Sequence, residues 1–128
     1  ARSIFVGSVF GLFVPNRNPQ RNDFLDSLHT YVDPSVPTIL AGDFNLVFDR
    51  AVDRRGSCVY NDSRENSVAL ARLFRNCCCV EVWGHLFPSR PGSTQTMSDG
   101  VWSSRTDLIG CPIVWAPFIL SCDLLPLL

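Results

Sequence analysis

The sequence predicts an α/β layered fold, on three observations. Two stretches with apolar residues at helical spacing, one reaching Val32 and the other Cys77, alternate with short apolar runs. Those runs, at 3–14, 38–41 and 105–111, have the length of buried strands. At 128 residues, 46% hydrophobic and 18% charged, the chain holds enough apolar material for one core and is not disordered. No internal repeat or linker divides it.

Residues 3–14 read as a buried strand, with Gly7 and Gly11 as candidate bulges. Asn18 suits a helix N-cap with Pro19 at the first helical position. Phe24, Leu25, Leu28, Tyr31 and Val32 then form an apolar stripe, which Asp33-Pro34 ends. Thr38 to Ala41 is a strand that stops at Gly42, whose missing Cβ permits a sharp turn. The polar segment from Leu46 to Asn61 reads as loop. Asp62 and Glu65 make a capping box for a second helix that buries Leu70, Leu73, Phe74 and Cys77. Val80 to Trp83 alternates like a short strand, Ser89 to Gly92 is a turn, and Thr94 to Met97 is a further strand. Asp99-Gly100 is a hairpin turn leading into 105–111, and a last strand is expected near Phe118 to Cys122.

Composition excludes more than it assigns. A net charge of −1 gives no electrostatic footprint for nucleic acid, although all eleven basic residues are Arg, the side chain suited to bidentate phosphate contacts. Cys58, Cys77, Cys78, Cys79, Cys111 and Cys122 fit neither a spread disulfide framework nor paired Cys-x-x-Cys metal ligands. Reduced, mostly buried thiols are expected, as in a nuclear or cytoplasmic protein. The apolar stretches at 4–14 and 110–128 are not membrane signals. The first runs into Pro15-Asn16, and the second is broken by Pro112, Pro117, Asp123 and Pro126.

The most informative segment is Gly42-Asp43-Phe44-Asn45. A carboxylate and a carboxamide two residues apart in extended chain share one side. A base or metal ligand beside a hydrogen-bond donor, at the C-terminal edge of a strand, suits attack of water on a phosphate. The ordinary alternative is a Gly-Asp turn leaving a strand.

Phe13-Val14-Pro15-Asn16, Gly42-Asp43-Phe44-Asn45 and Ser104-Arg105-Thr106-Asp107-Leu108-Ile109, in this order, resemble the endonuclease/exonuclease/phosphatase superfamily. Asp53-Arg54-Arg55-Gly56-Ser57, Asn61 to Asn66 and Trp83-Gly84-His85-Leu86-Phe87-Pro88 are similar to the endonuclease domain of non-LTR (LINE-type) retrotransposon polyproteins. The resemblance covers nearly all of the chain. It implies a four-layered α/β sandwich of two packed sheets flanked by helices, like apurinic endonucleases and DNase I. It also implies Mg²⁺- or Mn²⁺-dependent nicking of DNA, leaving a 3′ hydroxyl that primes reverse transcription. Asp43 would position or deprotonate the water, and Asn45 would hold a phosphate oxygen; either could touch a metal. Asn16 would contact phosphate, and Asp107 would orient a catalytic His. DNA is the implied partner, with no membrane and no protein partner indicated.

The chain departs from the family in places. Phe13 stands where Tyr is common, Gln95 where Trp is usual, and Thr106 where an aliphatic residue is usual. Neither His29 nor His85 corresponds to a catalytic position, so both are read as structural. Arg54 and Arg55 are read first as a solvated loop, with DNA-backbone contact as the alternative. The family's metal-binding Glu would precede Ala1, and its Ser-Asp-His base motif would follow Leu128. Residues 1–128 are therefore expected to be an incomplete copy of the domain, without detectable nicking alone and with strand faces left uncovered. Two other readings stay open. One is another phosphodiesterase or phosphatase branch of the superfamily; the other is a non-catalytic relic, which would show no Mg²⁺ or Mn²⁺ site in a calorimetric titration.

Overall fold

The computed structural model describes residues 6–55, 64–96 and 103–125. Its centre is a four-stranded mixed sheet made of β1 (Ser8–Phe13), β2 (Thr38–Asp43), β4 (Cys79–Glu81) and β7 (Asp107–Pro112), in the order β1-β2-β7-β4. β1 runs parallel to β2, and β7 is antiparallel to both β2 and β4. A smaller three-stranded sheet joins β3 (Arg54–Arg55), β5 (Gln95–Thr96) and β6 (Ser103–Ser104), with β6 in the middle. The helices are α1 (Gln20–Ser27), α2 (Arg50–Asp53), α3 (Arg64–Asn76) and α4 (Val82–Leu86). The expected mixed α/β character is therefore present.

Strand alternation decides which sheet face is buried. Phe10 and Leu12 of β1, Leu40 of β2 and Leu108 of β7 point to one face. There they meet Leu25 and Leu28, and Leu70, Leu73 and Phe74 from α3. The α3 stripe is the one the 3.6-residue period marks. Phe44, Leu46 and Val14, all fully buried, close the same core at the strand ends. Phe44 and Phe48 both pack against the Phe74 ring, with centroids 5.9 and 5.1 Å away.

The opposite face carries Val9 and Phe13, exposed by 72% and 76%, beside half-buried Ala41 and exposed Ile109. Contiguous exposed apolar groups promote association. The chain is expected to bind a hydrophobic dye and to associate as concentration rises, and Val9→Lys is expected to reduce both. A monodisperse wild-type monomer that leaves the dye dark would contradict this.

Several expectations are corrected. Gly11 is no bulge: β1 and β2 pair without interruption from Ser8↔Thr38 to Phe13↔Asp43. Asn18 does not cap α1. Pro19 occupies the cap position, no side chain caps it, and Asp23 N–H bonds the Pro19 carbonyl in the first turn. The helix tightens into a 3₁₀ turn at Leu28–Tyr31, which leaves Tyr31 exposed at the end of the intended apolar stripe.

Gly42 lies inside β2, and the chain turns only after Asp43. The segment 46–61 is not all loop, since α2 and β3 form within it. The strand expected at Val80–Trp83 ends at Glu81, whose carboxylate accepts the Trp83 and Gly84 N–H groups and so starts α4. His85 therefore sits in α4 rather than in a turn. No strand forms at 118–122. Ile113–Phe118 is a 3₁₀ helix containing Pro117, and residues 119–125 have no regular structure. Arg54 and Arg55 form the short strand β3 and not a loop. The Asp62 cap, the Asp99-Gly100 turn, Met97 and Cys58 lie outside the described residues, as do the side chains of Glu65 and Gln95.

Cys77, Cys79 and Cys111 are buried, Cys78 is exposed, and all are free. Burial, reinforced by the neighbouring thiols, pushes Cys79 up to about 12, so at neutral pH it is a thiol and a poor nucleophile. It donates to the Thr38 carbonyl at 3.2 Å. Among the described residues no helix is long and apolar enough to cross a membrane.

Candidate active site

The ends of β1 and β2 and the start of β7 are tied together by the segment the sequence singles out. Val14 N–H bonds the Asp43 carbonyl and Phe44 N–H bonds the Thr106 carbonyl, each at 2.9 Å. Asp43 Oδ1 accepts the Asn45 N–H at 2.9 Å, closing an Asx turn. Asn45 Nδ2 donates to the Val14 carbonyl at 2.6 Å. Asn45 also adopts φ 50°, a left-handed conformation that Asn tolerates better than other side-chain-bearing residues. The turn is thus held from both flanking strands, with the Asp43 and Asn45 positions fixed.

Gly42 permits this close approach. It has φ 146°, and a Cβ there would lie 1.9 Å from the Leu12 carbonyl oxygen on β1. The residue type is therefore dictated by the neighbouring strand and not by the turn.

Asp107 is the register partner of Asp43 across β2 and β7. Residues directly opposite in an antiparallel pair share a face, with Cβ atoms about 4.5–5.5 Å apart. Asp107 N–H and Thr106 N–H share the Thr94 hydroxyl, at 3.2 and 3.1 Å, which fixes the start of β7. Asp107 is exposed and faces a cleft of about 200 Å³ bordered by Gly42 and Asp123.

Asn16 and Asn45 line a separate open groove of about 470 Å³, together with Phe13, Pro15, Arg17 and Gln20. Two of these lining residues are held by Arg21, a buried residue whose guanidinium donates to the Pro15 and Asn16 carbonyls. The structure therefore brings Asn16 to Asn45 and Asp43 to Asp107. The two pairs meet through the Asp43-Asn45 turn.

One constellation escaped the sequence reading. Arg105, 2% exposed, donates from Nε and Nη2 to Asp53 Oδ1 at 3.0 and 2.8 Å, and from Nη1 and Nη2 to the Glu81 oxygens at 2.8 and 3.1 Å. Asp53 Oδ2 also accepts the Asp49 N–H at 2.8 Å. Burial disfavours the Arg105 charge, but the hydrogen bonds and charges of Glu81 and Asp53 outweigh it and hold the pKa above its ordinary value. The triad joins α2, β4 and the entry to β7, so it sets where Asp107 emerges. Asp53 sits in a stretch that reads as polar loop, and no spacing signal links it to residues 28 and 52 positions away.

A larger apolar cavity of about 660 Å³ lies beside Phe48, Phe74, Trp83 and Phe87. The buried charges on its wall are those of this triad and are spent on one another, and Asp49, Arg75, Cys78 and His85 also line it. Among the described residues no group of three or more His, Cys, Asp or Glu side chains could hold a metal ion. Asp43 and Asn45 by themselves do not complete a Mg²⁺ centre. His29 is exposed and contacts the Asp26 carbonyl within its own helical segment, and His85 is exposed on α4; neither lines the groove or the Asp107 cleft. No protein-family model matches the chain, and a search of curated proteins gives no match.

Proposed function

We propose that the chain carries the phosphate-facing part of a DNA-nicking phosphodiesterase of the LINE-type endonuclease kind, within an endonuclease/exonuclease/phosphatase sandwich. The observation that supports this most is the register of Asp43 against Asp107, with Asn45 bound to the end of β1 beside Asn16. Those are the residues the resemblance names.

The chemistry follows from donors and acceptors. Asp43 Oδ1 is engaged by the Asn45 backbone, while Oδ2 has no protein partner among the described residues and is the oxygen to receive a water proton. Asn45 keeps one amide hydrogen after bonding Val14, and Asn16 supplies another donor for a non-bridging phosphate oxygen. The water oxygen forms the new P–O bond, the bond to the 3′ oxygen breaks, and that oxygen takes up a proton. A Mg²⁺ or Mn²⁺ ion would supply charge neutralisation at the phosphate, with further donors beyond Asp43 and Asn45.

The test sets residues 1–128 between the N-terminal Glu segment and the C-terminal Ser-Asp-His segment of a LINE-type endonuclease and measures plasmid nicking. Asp43→Ala and Asn45→Ala are each expected to lower the rate about 10²-fold or more. A chimera that nicks DNA and tolerates both changes would refute the assignment.

A further inference from the structure

We propose that Arg17 and Phe13 grip an unpaired DNA strand beside the Asp43 turn, an inference that rests on the phosphodiesterase reading and gives it a substrate form. The groove holding Asn16 and Asn45 has one charged side chain, Arg17, and no carboxylate among its lining residues. Its other polar groups are neutral amides. Such a lining selects an anion and offers it a planar guanidinium, the group that binds phosphate through two parallel hydrogen bonds.

Arg17 is exposed, and its side chain makes no bond among the described residues. Its backbone is nevertheless fixed, because its carbonyl accepts the Arg21 N–H at 2.9 Å and the Arg21 guanidinium holds the Pro15 and Asn16 carbonyls. The guanidinium is therefore presented from a held loop, which lowers the ordering cost of binding.

Phe13 forms the other wall, on the register row of Asp43. Its ring, 76% exposed, is a flat apolar surface next to the phosphate-binding amides. An aromatic face accepts a nucleobase of any sequence, provided the base is out of the duplex stack. A strand lying in this groove would put a phosphate on Arg17 and Asn16 and the adjoining base on Phe13. Duplex DNA could use the guanidinium but not the ring. The pair thus favours a melted or single-stranded stretch at the point of cleavage.

The test is fluorescence anisotropy of the 128-residue chain in EDTA, below its associating concentration, with a labelled oligothymidylate and a duplex of equal length. Wild type is expected to bind the single strand more tightly. Arg17→Ala should reduce the slope of log K against log salt by about 0.7, the loss of one phosphate contact. Phe13→Ala should weaken single-strand binding about five-fold or more with the slope unchanged, and Phe13→Trp should restore it. Both positions are exposed, so the melts should match wild type. DNA binding that neither substitution weakens, or equal binding of duplex and single strand, overturns the grip and leaves the phosphodiesterase reading standing. A wild-type chain that binds no DNA overturns both.

Discussion

Arg105→Met is expected to destabilise the fold by about 3–5 kcal/mol, the cost of leaving buried carboxylates without their cation. Asp53 and Glu81 would keep their backbone donors, Asp49 N–H and the α4 amides, but lose four bonds to the guanidinium. Methionine keeps the arginine stem but vacates the space of the buried guanidinium, so a cavity adds to the effect. The contrasting case is Arg72, paired with Asp26 at 3.6 Å with both side chains 55% exposed. Solvent screens that pair, and Arg72→Ala is expected to cost no more than about 0.5 kcal/mol. Urea titration of the two variants separates the predictions; similar midpoints would show that the triad is not the clamp the geometry makes it.

Gly42→Ala should be nearly as damaging, above about 3 kcal/mol, because neither its conformation nor its surroundings admit a side chain. The added Cβ would meet backbone, the Leu12 carbonyl, so relief requires β1 to move away from β2. That separation would also carry Val14 away from Asn45 and dismantle the turn. Gly11 is the internal control. It lies in the same ladder, and a Cβ there meets nothing within 4 Å. Gly11→Ala should change stability by less than about 1 kcal/mol. Equal melting of the two variants would mean that β1 and β2 are not packed as closely as described.

Local patterns carried much of the architecture. Leu70, Leu73 and Phe74 of α3, with Cys77 just past its end, are buried as the period requires, because a helix with one apolar face has one way to remove it from water. The strand through Thr38–Ala41 and the one near Asp107 were legible for the same reason: short apolar runs have few alternatives to a buried sheet. The tail at 118–122 reads as strand by composition, yet a 3₁₀ helix runs from Ile113 through Pro117 to Phe118, and the residues after it take no regular structure. Tyr31 matched the helical period but not the tighter turn that replaced the helix there.

The site divides in a similar way. The sequence by itself put Asp43 and Asn45 at the exit of one strand and Asn16 after another, but its extended reading of the Asp43-Asn45 pair fails, because Asp43 ends β2 and Asn45 lies at a bend with φ 50°. Only the tertiary structure decided that Asp107 faces Asp43, that Asn45 is bonded to Val14, and that Gly42 answers to Leu12. Those relations cross from strand to strand, where register is set by which faces bury, not by sequence distance. The Arg105 triad is the extreme case, because charges from a polar segment, an alternating strand and the start of an apolar run become a buried cluster only when α2, β4 and β7 converge. Charge in a sequence normally signals solvent, and only the folded neighbours reveal that it has been paired and enclosed instead.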